Sequence, residues 1–284
     1  MCWTRWRKQR FNINSLRHIK SFLSGVFRLA LQQGFYEGHN PVREASIPAV
    51  RAAEETYAYS LEEIEAMLRV LPEPAATVVM TAALTGARRG ELRGMSWENY
   101  HDGEMMIDRS IWHGHISAPK TASSKRPIPI IRLLQTRLEN HRLRQGNPLA
   151  GPVFPNEACN PMDLNNLLGR VILPTLNQCE VCHRSEGDHG PEVNHNYRRD
   201  ASLPKWHGWH AFRRGLGTNL HRLGVPDKTI QAILRHANVN TTNTYYIKNV
   251  AEDAAAAMAK LETSLVDRNW TGFSTLTAAS PLVN

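Results

Sequence analysis

Residues 206–215 read WHGWHAFRRG. His210 and Arg213 stand three positions apart at the start of an expected helix over 210–223, so both side chains leave the same face one turn apart. Phe212, Leu216, Leu220 and Leu223 form the apolar stripe of that helix. A guanidinium and an imidazole on one turn suit a phosphate: arginine offers a planar fork of donors, and histidine a donor that also exchanges a proton. Taken alone, the stretch reads more simply as a solvated basic face, since short motifs match by chance. Three other stretches decide between these meanings.

Residues 85–92, TGARRGEL, place Arg88 at a loop-to-helix junction between Gly86 and Gly90. Glu91 can accept from the backbone or orient a neighbouring arginine, and the N–H groups of a helix start favour an anion. Residues 119–129, PKTASSKRPIP, put Lys120 in a loop between two expected strands, where an amine can hold a phosphate or protonate a leaving oxygen. Lys125 competes for that role. Residues 234–246, LRHANVNTTNTYY, end one helix at His236 and bring Tyr245 nine positions later, with Tyr246 beside it. A tyrosine attacks phosphorus only if its proton is removed or its phenolate is stabilised, which a cation cluster can do. Each stretch also has a plain structural meaning: a capped turn, a surface lysine, and aromatic packing.

Elsewhere the apolar spacing predicts helices over 14–34, from Ser60 (Ser60 and Glu63 form a capping-box pattern), 75–84, from about Glu91, 131–144, 162–172, 226–235, 241–248 and 250–261. Strand character is confined to 104–116 and 125–131. The expected class is mainly α with one small antiparallel sheet. The helix over 14–34 cannot bury its own apolar face and needs a partner. The Ala-rich 251–261 helix suits docking either on its own core or on a neighbouring subunit.

The chain has 284 residues, with 34 Lys+Arg against 26 Asp+Glu and a net charge of +8. Such a balance favours polyanionic partners, nucleic acid first. No apolar run nears the ~18 residues that span a bilayer, and no apolar segment of a secretory signal follows the basic start. Four cysteines, two of them in a CxxC, do not make a secreted disulfide framework, so the expected location is the cytoplasm.

The order Arg88 in G-x-R-x-G-E-L, Lys120 in a hairpin loop, His210-x-x-Arg213, His236 and then Tyr245 resembles the tyrosine recombinase (phage integrase) family. The resemblance covers about residues 59–261 and extends weakly to 14–42. It implies a partial, truncated helical core-binding domain over 1–50, a linker at 51–59, a catalytic domain over 60–263 and a loose tail from 264. It further implies Arg88, Arg213 and His236 as phosphate-stabilising groups and Glu91 as support for the Arg88 loop. Lys120 becomes the acid for the 5′ oxygen, His210 the proton-exchange partner, and Tyr245 the nucleophile forming a 3′-phosphotyrosyl link. The implied partner is double-stranded DNA, held by a homo-tetramer with possible accessory DNA-bending factors and no membrane. The implied chemistry uses side-chain cations, with no cofactor required. Departures are Arg235, where the family usually has Gly, and Ala211 and Phe212 in place of Asp and Leu. A type IB-like topoisomerase and a non-catalytic DNA-binding remnant of an integrase are the alternatives.

The segment 176–206 is an insertion that this pattern does not need. Cys179, Cys182, His189 and His195 within it have spacings that zinc tolerates, with His183 a fifth candidate. A possible structural zinc would pin the approach to His210. The other reading is a flexible loop with an incidental CxxC.

Overall fold

The computed structural model describes residues 13–47, 56–112, 114–118, 127–190, 192–235 and 246–266. The chain divides into two compact units, Met1–Glu55 and Thr56–Asn284. Among the described residues no helix is long and apolar enough to cross a membrane.

In the first unit, α1 (Ile13–Gln32) ends in a turn at Gly34, whose φ of 73° lies in the left-handed region. The chain then folds back on its own helix. The Asn40 amide donates to the Ser24 carbonyl at 2.9 Å and accepts from the Val42 N–H at 3.1 Å. Phe27 and Tyr36 meet edge to face at 5.3 Å. Phe22, Val26 and Leu29 remain exposed, as expected of a helix with more apolar surface than this unit covers.

The second unit is built around α3 (Ala75–Thr85), preceded by α2 (Leu61–Val70). At the start of α2 the Glu63 N–H donates to Ser60 Oγ and the Ser60 N–H to the Glu63 carboxylate, completing the capping box. Every residue of α3 is buried. Its threonines are tolerated there because Thr81 and Thr85 each donate to the carbonyl one turn back. Gly86 then ends the helix at φ 60°, where a Cβ would come within 2.9 Å of Leu234 Cδ2 and 3.1 Å of Leu216 Cδ2. The left-handed turn and the close packing both require glycine there.

After α4 (Arg89–Gly94) the described residues form five short strands: β1 (Tyr100–His101), β2 (Glu104–Met105), β3 (Ser110–Trp112), β4 (His115–Ser117) and β5 (Ile128–Pro129). Residues 104–116 are therefore three strands rather than one. β1-β2-β5 form one antiparallel sheet, and β3-β4 a separate hairpin turned at Gly114, φ 80°. The next helices are α5 (Arg132–Arg144), α6 (Leu164–Leu167) and α7 (Leu173–Leu176). Leu168–Ile172 between the last two is a π-turn, beside Pro174, which has no N–H to continue the regular ladder.

The chain then runs into α8 (Trp209–Arg222), α9 (Asp227–Ile233) and α10 (Tyr246–Val266). From Tyr246 onward, the two helices expected over 241–261 are a single one, with no breaker to divide it. Ala257, Met258, Leu261 and Leu265 are buried in the core of the same chain, so in this structure the helix docks on its own unit.

α8 lies so close to the start of the second unit that a Cβ on Gly215 would sit 2.5 Å from the Tyr59 carbonyl oxygen and 3.1 Å from its nitrogen. Backbone cannot yield as a side-chain tip can. Gly215→Ala is therefore expected to destabilise the unit by about 2–3 kcal/mol, read as a lower denaturant midpoint at unchanged slope. Tyr59 is fully buried and groups with the second unit, so that position belongs to its core.

Candidate functional site

Arg88 caps the start of α4, and Glu91 sits one turn inside it. The Glu91 carboxylate accepts the Arg88 backbone N–H at 2.8 Å through Oε2 and Arg88 Nη1 at 2.8 Å through Oε1. Oε2 also accepts Arg235 Nη2 at 2.7 Å, with both side chains buried. Burial pushes the Glu91 carboxyl up, but the positive charge of Arg235 and the N–H and guanidinium of Arg88 outweigh it. The net value lies below the ordinary carboxylate value. One buried carboxylate thus ties two arginines that are far apart in sequence.

Arg235 is the residue that the motif order did not anticipate. It follows α9 at φ 53°, a left-handed position that glycine adopts at no steric cost. Its side chain is 2% exposed and its cation reaches Glu91. The only sequence signal was an arginine at a position where the family usually has glycine.

α8 supplies the next pair. Arg213, also 2% exposed, donates from Nη1 to the Gly86 carbonyl at 2.7 Å and from Nη2 to the Leu234 carbonyl. Its Nε has no partner among the described residues. Burial, and then the charge of Arg88, push its guanidinium down to about 10, still cationic at neutral pH. Arg213 therefore joins the end of α3, which leads into Arg88, to the end of α9, which leads into His236. His210 lies on the exposed side of the same turn. Loss of hydration on its inner side, and then the charges of Arg214, Arg213 and Arg88, push its imidazole below the usual histidine value. A neutral imidazole beside several cations can accept a proton.

The other residues of 206–215 anchor the helix. His207 stacks on Tyr57 at 3.5 Å, and its N–H donates to the Tyr59 hydroxyl at 2.5 Å. That hydroxyl donates in turn to the Lys205 carbonyl at 3.1 Å. Trp206 and Trp209 meet edge to face and pack with Phe212. Arg214 Nε donates to the Tyr57 carbonyl at 2.6 Å. Trp206, His207, Trp209 and Arg214 thus seat the first turn of α8 on Tyr57 and Tyr59 and fix the direction of His210.

In the 176–206 segment, one ligand atom from each of Cys179, Cys182, His189 and His195 lies within 4.8 Å of the others. His183 stands apart, with Nδ1 3.4 Å from the Gln178 amide nitrogen. Among the sequence-predicted residues, the structure joins Arg88 to Glu91 directly and brings the charges of Arg88 and Arg213 to bear on His210. Lys120, His236 and Tyr245 lie outside the described residues.

The phage integrase family model matches residues 192–252, the segment that carries His210, Arg213, His236 and Tyr245. A tyrosine recombinase XerC-like protein of Caldanaerobacter subterraneus subsp. tengcongensis is 26% identical over 280 aligned residues, covering 87% of this chain and 65% of that protein. This chain thus spans about two thirds of that relative's length. The Tn1549 transposon integrase has a similar fold. In complex with circular intermediate DNA it superposes with a TM-score of 0.61 at 18% identity, over 88% of this chain and 82% of that one. In complex with transposon right end DNA the TM-score is 0.63 at 18% identity, over 93% and 82%. The mostly helical chain, with its small antiparallel sheets, thus shares the fold of the Tn1549 integrase. By residues 192–252 the chain is similar to the phage integrase family, and along most of its length to a XerC-like tyrosine recombinase.

Proposed function

We propose that the chain is a site-specific DNA recombinase that breaks and rejoins double-stranded DNA through a 3′-phosphotyrosyl intermediate. The observation that carries this reading is the Glu91 carboxylate holding Arg88 to Arg235, with Arg213 bridging the two backbone segments that lead into Arg88 and His236. A phosphodiester under attack gathers negative charge on its two non-bridging oxygens, and preorganised cations lower that barrier. Arg88 and Arg213, with His236, supply the positive field. The neutral His210 takes the Tyr245 proton. Tyr245 Oη bonds to phosphorus while the P–O bond to the 5′ oxygen breaks, and Lys120 protonates that oxygen. The phosphotyrosyl bond conserves the energy of the cleaved link, so a 5′ hydroxyl can reverse the step and rejoin the strand. DNA as partner is further supported by the net charge of +8 and by the fold shared with DNA-bound integrases.

The deciding experiment incubates the full chain with nicked suicide substrates made from the DNA flanking its own gene. A covalent protein–DNA adduct is expected on denaturing gels. Tyr245→Phe should abolish it, whereas Tyr246→Phe should leave it intact. An adduct that persists in Tyr245→Phe, or none with the native chain, overturns the assignment. Relaxation of an arbitrary supercoiled plasmid without site preference would instead favour topoisomerase chemistry.

A further inference from the structure

We infer that Cys179, Cys182, His189 and His195 bind one tetrahedral zinc ion, and that this ion fixes the backbone entering α8. The assignment does not depend on the recombinase chemistry.

Four ligand atoms gather within 4.8 Å of one another, and two of their spacings match a tetrahedral shell. His195 Nε2 lies 3.4 Å from Cys179 Sγ and 3.3 Å from His189 Nε2. Bond lengths of about 2.3 Å to sulfur and 2.0–2.1 Å to nitrogen give tetrahedral edges of about 3.6 Å for S–N and 3.4 Å for N–N. Both observed spacings fit. Hydrogen bonding accounts for them less well, because His195 Nε2 faces both neighbours and a neutral ring has at most one proton there. A shared cation satisfies all these contacts at once. Two thiolates and two imidazoles select zinc over the hard cations, which prefer oxygen.

The surroundings match a structural site. Cys179 is fully buried. Cys182 is followed by His183 at φ 58°, a tight turn that brings both cysteines to one side. His195 Nδ1 lies 3.4 Å from Asn194 Oδ1, the kind of outer contact that orients a metal-bound ring.

The site connects to α8 through hydrogen bonds. The Cys179 N–H donates to the Arg184 carbonyl and the Glu180 N–H to that of Arg198, closing the turn on the returning chain. Arg199 then donates to Asn177 Oδ1 at 3.0 Å and, from Nη2, to the Leu203 and Pro204 carbonyls at 2.8 and 2.9 Å. Pro204 precedes Lys205, whose carbonyl is held by Tyr59. Without an ion, the segment 179–198 is a polar excursion with little apolar burial to order it. With one, it becomes a rigid arm that Arg199 ties to the Leu203 and Pro204 carbonyls, Pro204 lying two residues before Trp206.

The test measures metal in the purified full chain. About one zinc per chain is expected, falling to about a tenth or less in Cys179→Ser/Cys182→Ser. His195→Ala should also lose zinc, whereas His195→Cys, which keeps a fourth ligand, should retain it. The native chain stripped by chelator and titrated with cobalt(II) should show the visible absorption of tetrahedral cobalt with a thiolate charge-transfer band. This measurement needs no variant to fold. Limited proteolysis should cut within 180–198 several-fold faster in the stripped chain. Absence of zinc from the native chain together with no tetrahedral cobalt spectrum overturns the site. Equal proteolysis with and without metal overturns the positioning role.

Discussion

Glu91→Ala is expected to cost about 3 kcal/mol of stability and to slow strand cleavage by about 10²–10³. Three donors lose their acceptor at once: the Arg88 backbone N–H, Arg88 Nη1 and Arg235 Nη2. Arg235 is buried, so the loss of its carboxylate is not made good by water. Arg88, released from Oε1, no longer points one way. Chemical denaturation measures the first effect and single-turnover cleavage the second. Glu91→Gln separates them further, because an amide oxygen still accepts one N–H but carries no charge.

The pH dependence has a definite sign. The folded-state pKa of Glu91 lies below its unfolded value of about 4.3. The stabilisation is therefore complete above that value and is lost as pH falls through the folded value. The stability curves of the native chain and Glu91→Ala should lie apart at neutral pH and converge in acid. Parallel curves down to pH of about 3 would show that the carboxylate charge carries none of the effect.

Arg213→Ala should be as damaging for a different reason. The guanidinium spans two carbonyls, Gly86 and Leu234, from two separate nitrogens. Removal strands both acceptors in the interior and opens a cavity, at about 3–4 kcal/mol in total. On the proposed function it also removes one phosphate-stabilising cation, for a further 10²–10³ in cleavage rate, roughly. Arg213→Lys is the sharper experiment. Lysine keeps the charge but, as a compact point donor, does not reproduce a rigid two-pronged fork. It should recover less than half of the stability and little of the rate. Full recovery by lysine would mean that charge alone suffices at this position.

Much of the second unit was legible in the sequence. The capping box at Ser60, the apolar stripe of α8 and the glycine after α3 are local signals, each depending on residues within one or two turns. The motif order was legible for the same reason, since the residue types that handle a phosphate are few and their spacing along the chain can be read directly. The strands were less so. Residues 104–116 carry one continuous strand-like composition, yet they split into β2, β3 and β4 because pairing partners, not composition, decide where a strand stops. The burial of Tyr59, placed in the linker by its local sequence, was not legible for a similar reason. Its burial depends on Phe212 and Lys205, about 150 positions away.

By itself, then, the sequence determined the helical class and carried the resemblance to the integrases, because these depend on side-chain type and short-range spacing. Only the tertiary structure decided that Arg235 shares Glu91 with Arg88, that Arg213 braces two loops through main-chain carbonyls, and that two cysteines and two histidines converge on one point. The first two are contacts between segments distant in sequence and the third is a fold of one loop, and in each geometry alone determines which of several possible partners a charge or a thiol meets.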